Sequence, residues 1–285
     1  MSYQQFRPNS FNILPLVVKN LLIINGLLFL STLAMETQFG IDLGNILGLH
    51  FPLSSDFRPY QLITYMFMHG SFMHLFFNMF ALWMFGNTLE NYWGPKRFLT
   101  YYLITGIGAA FCHYAIVYIE MKPALDYIEN YIANPSLQEF QNFIDPAQLK
   151  MNSQEAVNHY NDLIPRAFSQ AIASNNLKEA LLISVDYMQI YKADLLNAPV
   201  VLGASGSVFG ILLAFGMLFP NTLLYIYFAI PIKAKWFVIL YGAAELYSGL
   251  ANNSGDNVAH FAHLGGMLFG FFLIKYWQKN SNKIY

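Results

Sequence analysis

The sequence predicts an all-α membrane protein, a bundle of six transmembrane helices with a helical extramembrane insertion between the third and fourth. Three observations lead there. Of 285 residues, 56% are hydrophobic and 17% aromatic while only 11% are charged, about half the charged share of a soluble globular domain. Windows of about 20 mostly apolar residues, the length a helix needs to cross a hydrocarbon core about 30 Å thick, recur along the chain. Between the third and fourth windows runs a polar stretch carrying nine acidic and five basic residues.

In chain order, the first window is 15–34. It follows a polar N-terminus, exceeds the apolar core of a signal peptide and lacks a clear small-residue cleavage site, so it reads as a retained signal anchor. The second and third windows are 72–92 and 98–119, and three more lie at 200–219, 235–250 and 258–277. The fifth is interrupted by Glu245, and an apolar run at 223–230, ended by Pro231, extends or competes with it. Basic residues orient the bundle. Arg7, Lys96, Arg97, Lys233, Lys235, Lys275, Lys279 and Lys283 fall on one side, which the positive-inside rule makes cytoplasmic together with both termini. The short connection Asn252–Asn257 on the opposite side has no Lys or Arg.

The insertion, 121–196, then faces outward. Asn134-Pro135-Ser136 reads as a helix cap ahead of Leu137, Phe140 and Ile144, which share a face, and Leu177, Leu181, Val185 and Met188 repeat similarly. A small helical subdomain is expected there, either a solvated spacer or a regulatory or substrate-recruiting element. The chain thus divides into 1–120, 121–196 and 197–285, one membrane domain interrupted by an insertion.

Charge and cysteine content narrow the functions. Fifteen basic and 16 acidic residues leave a net charge of −1, so no field points to nucleic acid. The single cysteine, Cys112, lies in an apolar run and reads as a small buried hydrophobe. Of seven histidines, none forms a His-Glu-x-x-His pair, paired His boxes are absent, and no cysteine ligand is near, so neither a metal nor any other cofactor is expected.

What does call for chemistry is polarity at one depth. In a six-span arrangement Ser205 lies about one and a half turns inside the fourth span and His263 at a similar depth in the sixth. His74 and Asn78, four residues apart on one helix face, open the second. Serine beside histidine at shallow membrane depth suggests a nucleophile and its base. Each group also has an ordinary structural reading. A membrane serine commonly bonds to its own backbone, as Ser207 is expected to do, and a buried histidine is often structural. Gly203, Gly206 and Gly210 with Gly265, Gly266 and Gly270 suit close helix packing. Either His260 or His263, three residues apart on one face, has the position of a base.

Three ordered motifs then carry a family resemblance. Gly203-Ala204-Ser205-Gly206, the His74-x-x-x-Asn78 pair that follows His69-Gly70-Ser71, and Ala262-His263-Leu264-Gly265-Gly266 resemble those of the rhomboid intramembrane serine proteases, over about 58–120 and 198–277. The resemblance implies a rhomboid-like bundle that cleaves single-span or other membrane protein substrates. In it Ser205 is the nucleophile and His263 the general base. Gly203, Gly206 and His260 support them, and Phe209 is the aromatic ring that stacks on the histidine. His74, Asn78 and the Ser205 N–H become oxyanion donors. No acid partner is implied, in keeping with the lack of Asp or Glu beside His263 in the sixth span, so packing is expected to orient the imidazole. Glu90 and Gly94 resemble a Glu-x-x-x-Gly pair with a structural, loop-organising role. Where many family members carry Trp-Arg in the first outer loop, this chain has Tyr60-Gln61 with Arg58 nearby. Substrate access between spans two and five is a further implication.

Two other classes compete with this reading. A catalytically silent relative that binds membrane clients would be favoured by loss of Ser205 or His263, and both are present. A transporter or channel would place its polar layer at the midplane within inverted repeats, and neither is visible. A six-span core without an added helix suits a bacterial inner membrane.

Overall fold

A computed structural model describes residues 12–144, 151–226, 229–251 and 258–281. Arg7, Lys283 and the connection Asn252–Asn257, used above for orientation, lie outside them. The chain forms two compact units, one of 1–49, 59–113 and 201–285, the other of 50–58 and 114–200.

In the first unit, α1 (Leu16–Phe39) ends at Gly40, whose φ of 64° lets its N–H reach Glu36 O, the left-handed closure that glycine permits. Only Val18, Leu21 and Asn25 are buried. The hydroxyls of Ser31, Thr32 and Thr37 donate to carbonyls one turn back, which hides their polarity on an otherwise apolar surface. After α2 (Leu43–Leu47), β1 (Leu49–His50) and α3 (Gln61–Thr64), a helical run spans 72–93. It comprises α4 (Phe72–Ala81), a π-helical turn at 82–86 and α5 (Asn87–Trp93). Gly94, at φ 81°, stops it, and Pro95 opens α6 (Pro95–Ala133), a position where the missing N–H costs nothing.

The 39 residues of α6 correspond to about 58 Å. The expected boundary at 121 therefore falls inside a helix that passes through Pro123. Its second half belongs to the other unit, with α7 (Leu137–Phe143), α8 (Gln154–Asp162), α9 (Ser169–Ala173) and α10 (Leu177–Asn197). Ser136 caps α7 and Asn176 caps α10 through their side chains. The core of this unit is aromatic. Phe140 is fully buried against Tyr131, Phe168 and Tyr187. The stripe expected from Leu177, Leu181, Val185 and Met188 is rotated by about one residue. Ala180, Ser184, Tyr187 and Met188 face inward, while Leu177 is exposed. Ser184 can be buried because its hydroxyl bonds Tyr131 Oη and donates to Leu181 O. Residues 50–58 close this unit through Ser54 Oγ donating to Asn197 Oδ1 and the edge of Phe51 on Tyr114.

The chain re-enters the first unit after β2 (Val200–Val201). There α11 (Ser205–Leu218) starts five residues later than the 200–219 window, because Gly203 sits at φ 126°, where no helix propagates. Ser205 is thus the first residue of its helix rather than one and a half turns inside. The run at 223–230 does not extend a helix. It forms an antiparallel hairpin of β3 (Leu223–Ile226) and β4 (Ile230–Lys233), with Leu223 opposite Lys233. Pro231 lacks the N–H a helix needs, and the β-branched and aromatic residues favour strand. Then follow α12 (Ala234–Ala251) and α13 (His260–Ser281). Among the described helices, α1 and α6 are long and apolar enough to cross a membrane by themselves, and α11 is a shorter apolar helix. Trp93, Tyr101 and Trp277 gather α5, α6 and α13, with the Arg97 guanidinium 4.6 Å above the Trp277 ring, the composition of an interfacial belt.

Candidate active site

The site is built on the first turns of α11 and α13. Gly203 donates its N–H to Tyr65 O at 2.9 Å, and its positive φ turns the chain so that Ser205 heads α11. A Cβ at 203 would lie 2.7 Å from His74 Cε1 and Nε2, so the His74 ring occupies the space that a side chain would fill. Helices α11 and α13 approach at glycine on glycine. A Cβ on Gly266 would run into the Gly206 carbonyl, and one on Gly206 into Ala109 of α6. That close approach brings Ser205 Oγ to 2.8 Å from His263 Nε2.

The imidazole of His263 is held on three sides. Phe209, one turn beyond Ser205, stacks on its face at 4.1 Å between centroids and 8° between planes, and Phe209 in turn packs on Tyr241 of α12. The remaining ring nitrogen, Nδ1, lies 2.8 Å from Glu245 Oε2. The same oxygen lies 2.7 Å from His260 Nδ1. The expectation of a histidine oriented by packing alone is thereby corrected, because an acid on the adjacent helix reaches it. Burying a carboxylate away from water is costly unless it is paired and hydrogen-bonded. Two hydrogen bonds to a carboxylate, each worth about 1.5–3 kcal/mol, offset that cost and explain how Glu245 is kept 7% exposed. The sequence carried a signal for this pairing. Glu245 lies seven residues before and His263 six residues after the polar stretch 252–257, so antiparallel helices bring them to a similar depth, although spacing does not say which faces meet.

Asn78 is buried and donates Nδ2–H to His74 O at 2.9 Å. His74 contributes its backbone N–H to the Ser71 hydroxyl that caps α4. The structure therefore joins Ser205, His263, Phe209, His260 and Glu245 directly, places His74 against Gly203, and sets Asn78 one turn along α4. Ser207 does not bond back into its own helix. It donates to Tyr102 O of α6 at 2.7 Å, tying α11 in rotation.

Two peripheral expectations also change. Glu90 caps a helix rather than a loop, with Oε1 and Oε2 accepting the N–H groups of Val17 and Val18 at 2.9 and 2.8 Å in the first turn of α1. At 60–61, Tyr60 Oη and Gln61 Nε2 both donate to Ile46 O, and Thr64 Oγ1 donates to Leu47 O. A loop anchor is present there with other side chains. Arg58 bonds the carbonyls of Ser55 and Phe57.

Among the described residues, Glu245, His260 and His263 also place one ligand atom each within 4.8 Å of one another, close enough for a cation. Such a cation would occupy His263 Nδ1. A neutral imidazole would then carry its proton on Nε2 and face Ser205 as a donor, so metal ligation and base catalysis at His263 exclude one another.

The profile described as Rhomboid domain matches residues 56–123 and 170–279, which include every residue of this constellation. The chain belongs to the rhomboid family. It is 27% identical over 236 residues to an uncharacterized mitochondrial rhomboid protein of Schizosaccharomyces pombe, an alignment covering 79% of this chain and 53% of that protein. The chain spans about half the length of this relative. Rhomboid membership makes it a multi-pass, all-α membrane protein of a family that acts within membranes on membrane proteins. The unmatched stretch 124–169 falls within the second compact unit.

Proposed function

We propose that the chain is an intramembrane serine endopeptidase that cleaves transmembrane-anchored protein substrates. Ser205 is its nucleophile and His263 its general base. The observation that carries the reading is the 2.8 Å approach of Ser205 Oγ to His263 Nε2 on helices that only glycines allow so close. In the first step His263 takes the hydroxyl proton as Ser205 Oγ bonds the scissile carbonyl carbon. The carbonyl oxygen becomes an oxyanion and is met by the Ser205 N–H, which lies ahead of the helical ladder that begins with Val208 N–H to Ala204 O. His74 and Asn78 are its side-chain donors. Neutral imidazole and amide groups serve here without burying a permanent charge. Collapse of the intermediate expels the amine, protonated by His263, and leaves an acyl ester on Ser205. Water, deprotonated by the same imidazole, releases the acid.

The same reading assigns six spans to α1, the 72–93 run, α6, α11, α12 and α13. The segment 121–196 is then an extramembrane helical insertion between 1–120 and 197–285. Lys96, Arg97, Lys233, Lys235, Lys275 and Lys279 place both termini on the cytoplasmic side. The bacterial inner membrane expected from the sequence stands against the relative's mitochondrial name, and the location proposed is a multi-pass membrane one. Because a helix shields its carbonyls, the substrate must unwind at the cleavage point, and small or helix-breaking residues are expected there.

The test reconstitutes wild type and Ser205→Ala in liposomes with a fluorescent transmembrane peptide and follows cleavage beside labelling by a fluorophosphonate. Both signals in wild type and neither in the variant are expected. Folded wild type that neither cleaves a panel of transmembrane peptides nor labels would replace this reading with client binding.

A further inference from the structure

We infer that Glu245 is a positioning residue for His263, which makes the site a Ser–His–Glu triad within the membrane, and that His260 braces the Glu245 carboxylate. The inference rests on the protease reading of Ser205 and His263.

An ionised carboxylate only accepts hydrogen bonds. With Glu245 Oε2 at 2.8 Å from His263 Nδ1, that nitrogen carries the proton and donates it. A neutral imidazole then has its lone pair on Nε2, and Nε2 is the atom 2.8 Å from Ser205 Oγ. Glu245 therefore selects the one tautomer able to accept the serine proton. When Nε2 takes that proton the ring becomes cationic in a buried setting, and the adjacent carboxylate balances the charge. The proton moves from Oγ to Nε2 and later to the departing amine, while Glu245 stays ionised throughout, as in soluble serine proteases.

His260 completes the arrangement. Its Nδ1 donates to the same Oε2 at 2.7 Å, so the carboxylate is fixed from two points of α13 and cannot swing away from His263. Phe209 supplies the third constraint from the ring face. Other titratable groups around the cluster are His74 of α4 and His113 of α6, both in electrostatic range of His263, and Tyr241 of α12 beside Glu245.

The experiment compares wild type, Glu245→Gln, Glu245→Asp and His260→Ala in liposomes. It measures kcat and KM for the transmembrane peptide, together with the rate and extent of Ser205 fluorophosphonate labelling. Glu245→Gln should lower kcat by about 10³-fold with KM nearly unchanged, since loss of the triad acid in soluble proteases costs about 10⁴-fold. Labelling should slow in parallel. Glu245→Asp should recover part of the rate, and His260→Ala should lose about 10-fold. In wild type alone, ¹⁵N-histidine NMR should show a far-downfield Nδ1–H proton for His263, a readout that does not depend on any variant folding.

A Glu245→Gln enzyme with wild-type kcat would overturn the inference. So would a loss explained wholly by fewer labelled molecules that each turn over at the wild-type rate, or a wild-type His263 protonated on Nε2. If wild type labels but cleaves nothing, the protease reading fails while the labelling rates still decide the role of Glu245. If it does neither, both fall together.

Discussion

Asn78 has two amide hydrogens, and one is already donated to the His74 carbonyl. The other is the one a developing oxyanion can use. Asn78→Ala should therefore slow cleavage by about 100- to 1000-fold, the usual loss of one oxyanion donor, and leave the thermal midpoint close to wild type. A variant cleaving at the wild-type rate would remove Asn78 from the site. At this scale much of the constellation was legible, because serine and histidine between glycines stand out in an apolar sequence and short motifs hold them in order. Glu245 was not. Its partners lie 15 and 18 residues away, and the pairing depends on the rotation of α12 against α13, which linear spacing does not encode. Ser207 was misjudged for a related reason. The carbonyl that accepts its proton belongs to Tyr102, 105 residues distant.

Helices α1 and α5 meet through a carboxylate rather than through apolar contact alone. Pro15 at the N-cap of α1 offers no side-chain cap, so the first N–H groups of that helix depend on Glu90. Exchanging the charged acceptor for a neutral one in Glu90→Gln should lower stability by about 1–3 kcal/mol, read as a fall in thermal midpoint in detergent. An unchanged midpoint would mean that solvent caps the helix equally well. The hydropathy windows overlap α1, the 72–93 run, α6, α11, α12 and α13, of which α1 and α6 are long and apolar enough to cross a membrane by themselves, whereas the 21-residue α10 lies in none of them. Hydropathy misplaced edges wherever backbone geometry decides. Gly203 delays α11, Pro231 and its neighbours divert 223–230 into a hairpin, and α6 continues past 119 because Met121, Lys122, Ala124 and Leu125 all suit a helix and Pro123 is tolerated.

Each of the two compact units has its own buried core, so damage to one should spare the chemistry of the other. Phe140→Ala empties a fully buried aromatic position and should cost about 3–5 kcal/mol. That loss should appear as an earlier calorimetric transition while Ser205 labelling keeps its wild-type rate. Joint loss of both signals would show that the units unfold as one. The sequence disclosed that 121–196 is polar and helical but not how its helices face inward. Ala180, Ser184, Tyr187 and Met188 line the inner face of α10, and leucine, the usual guide, sits beside it. The bond between Glu245 and the two histidines reaches furthest. An outward swing of α12 wide enough to admit a substrate helix beside α4 would part both bonds or drag α13 with it. Under the proposed function the door and the trigger would then share one hinge pin, leaving the site unarmed while the gate stands open and armed only after closing around what it has admitted.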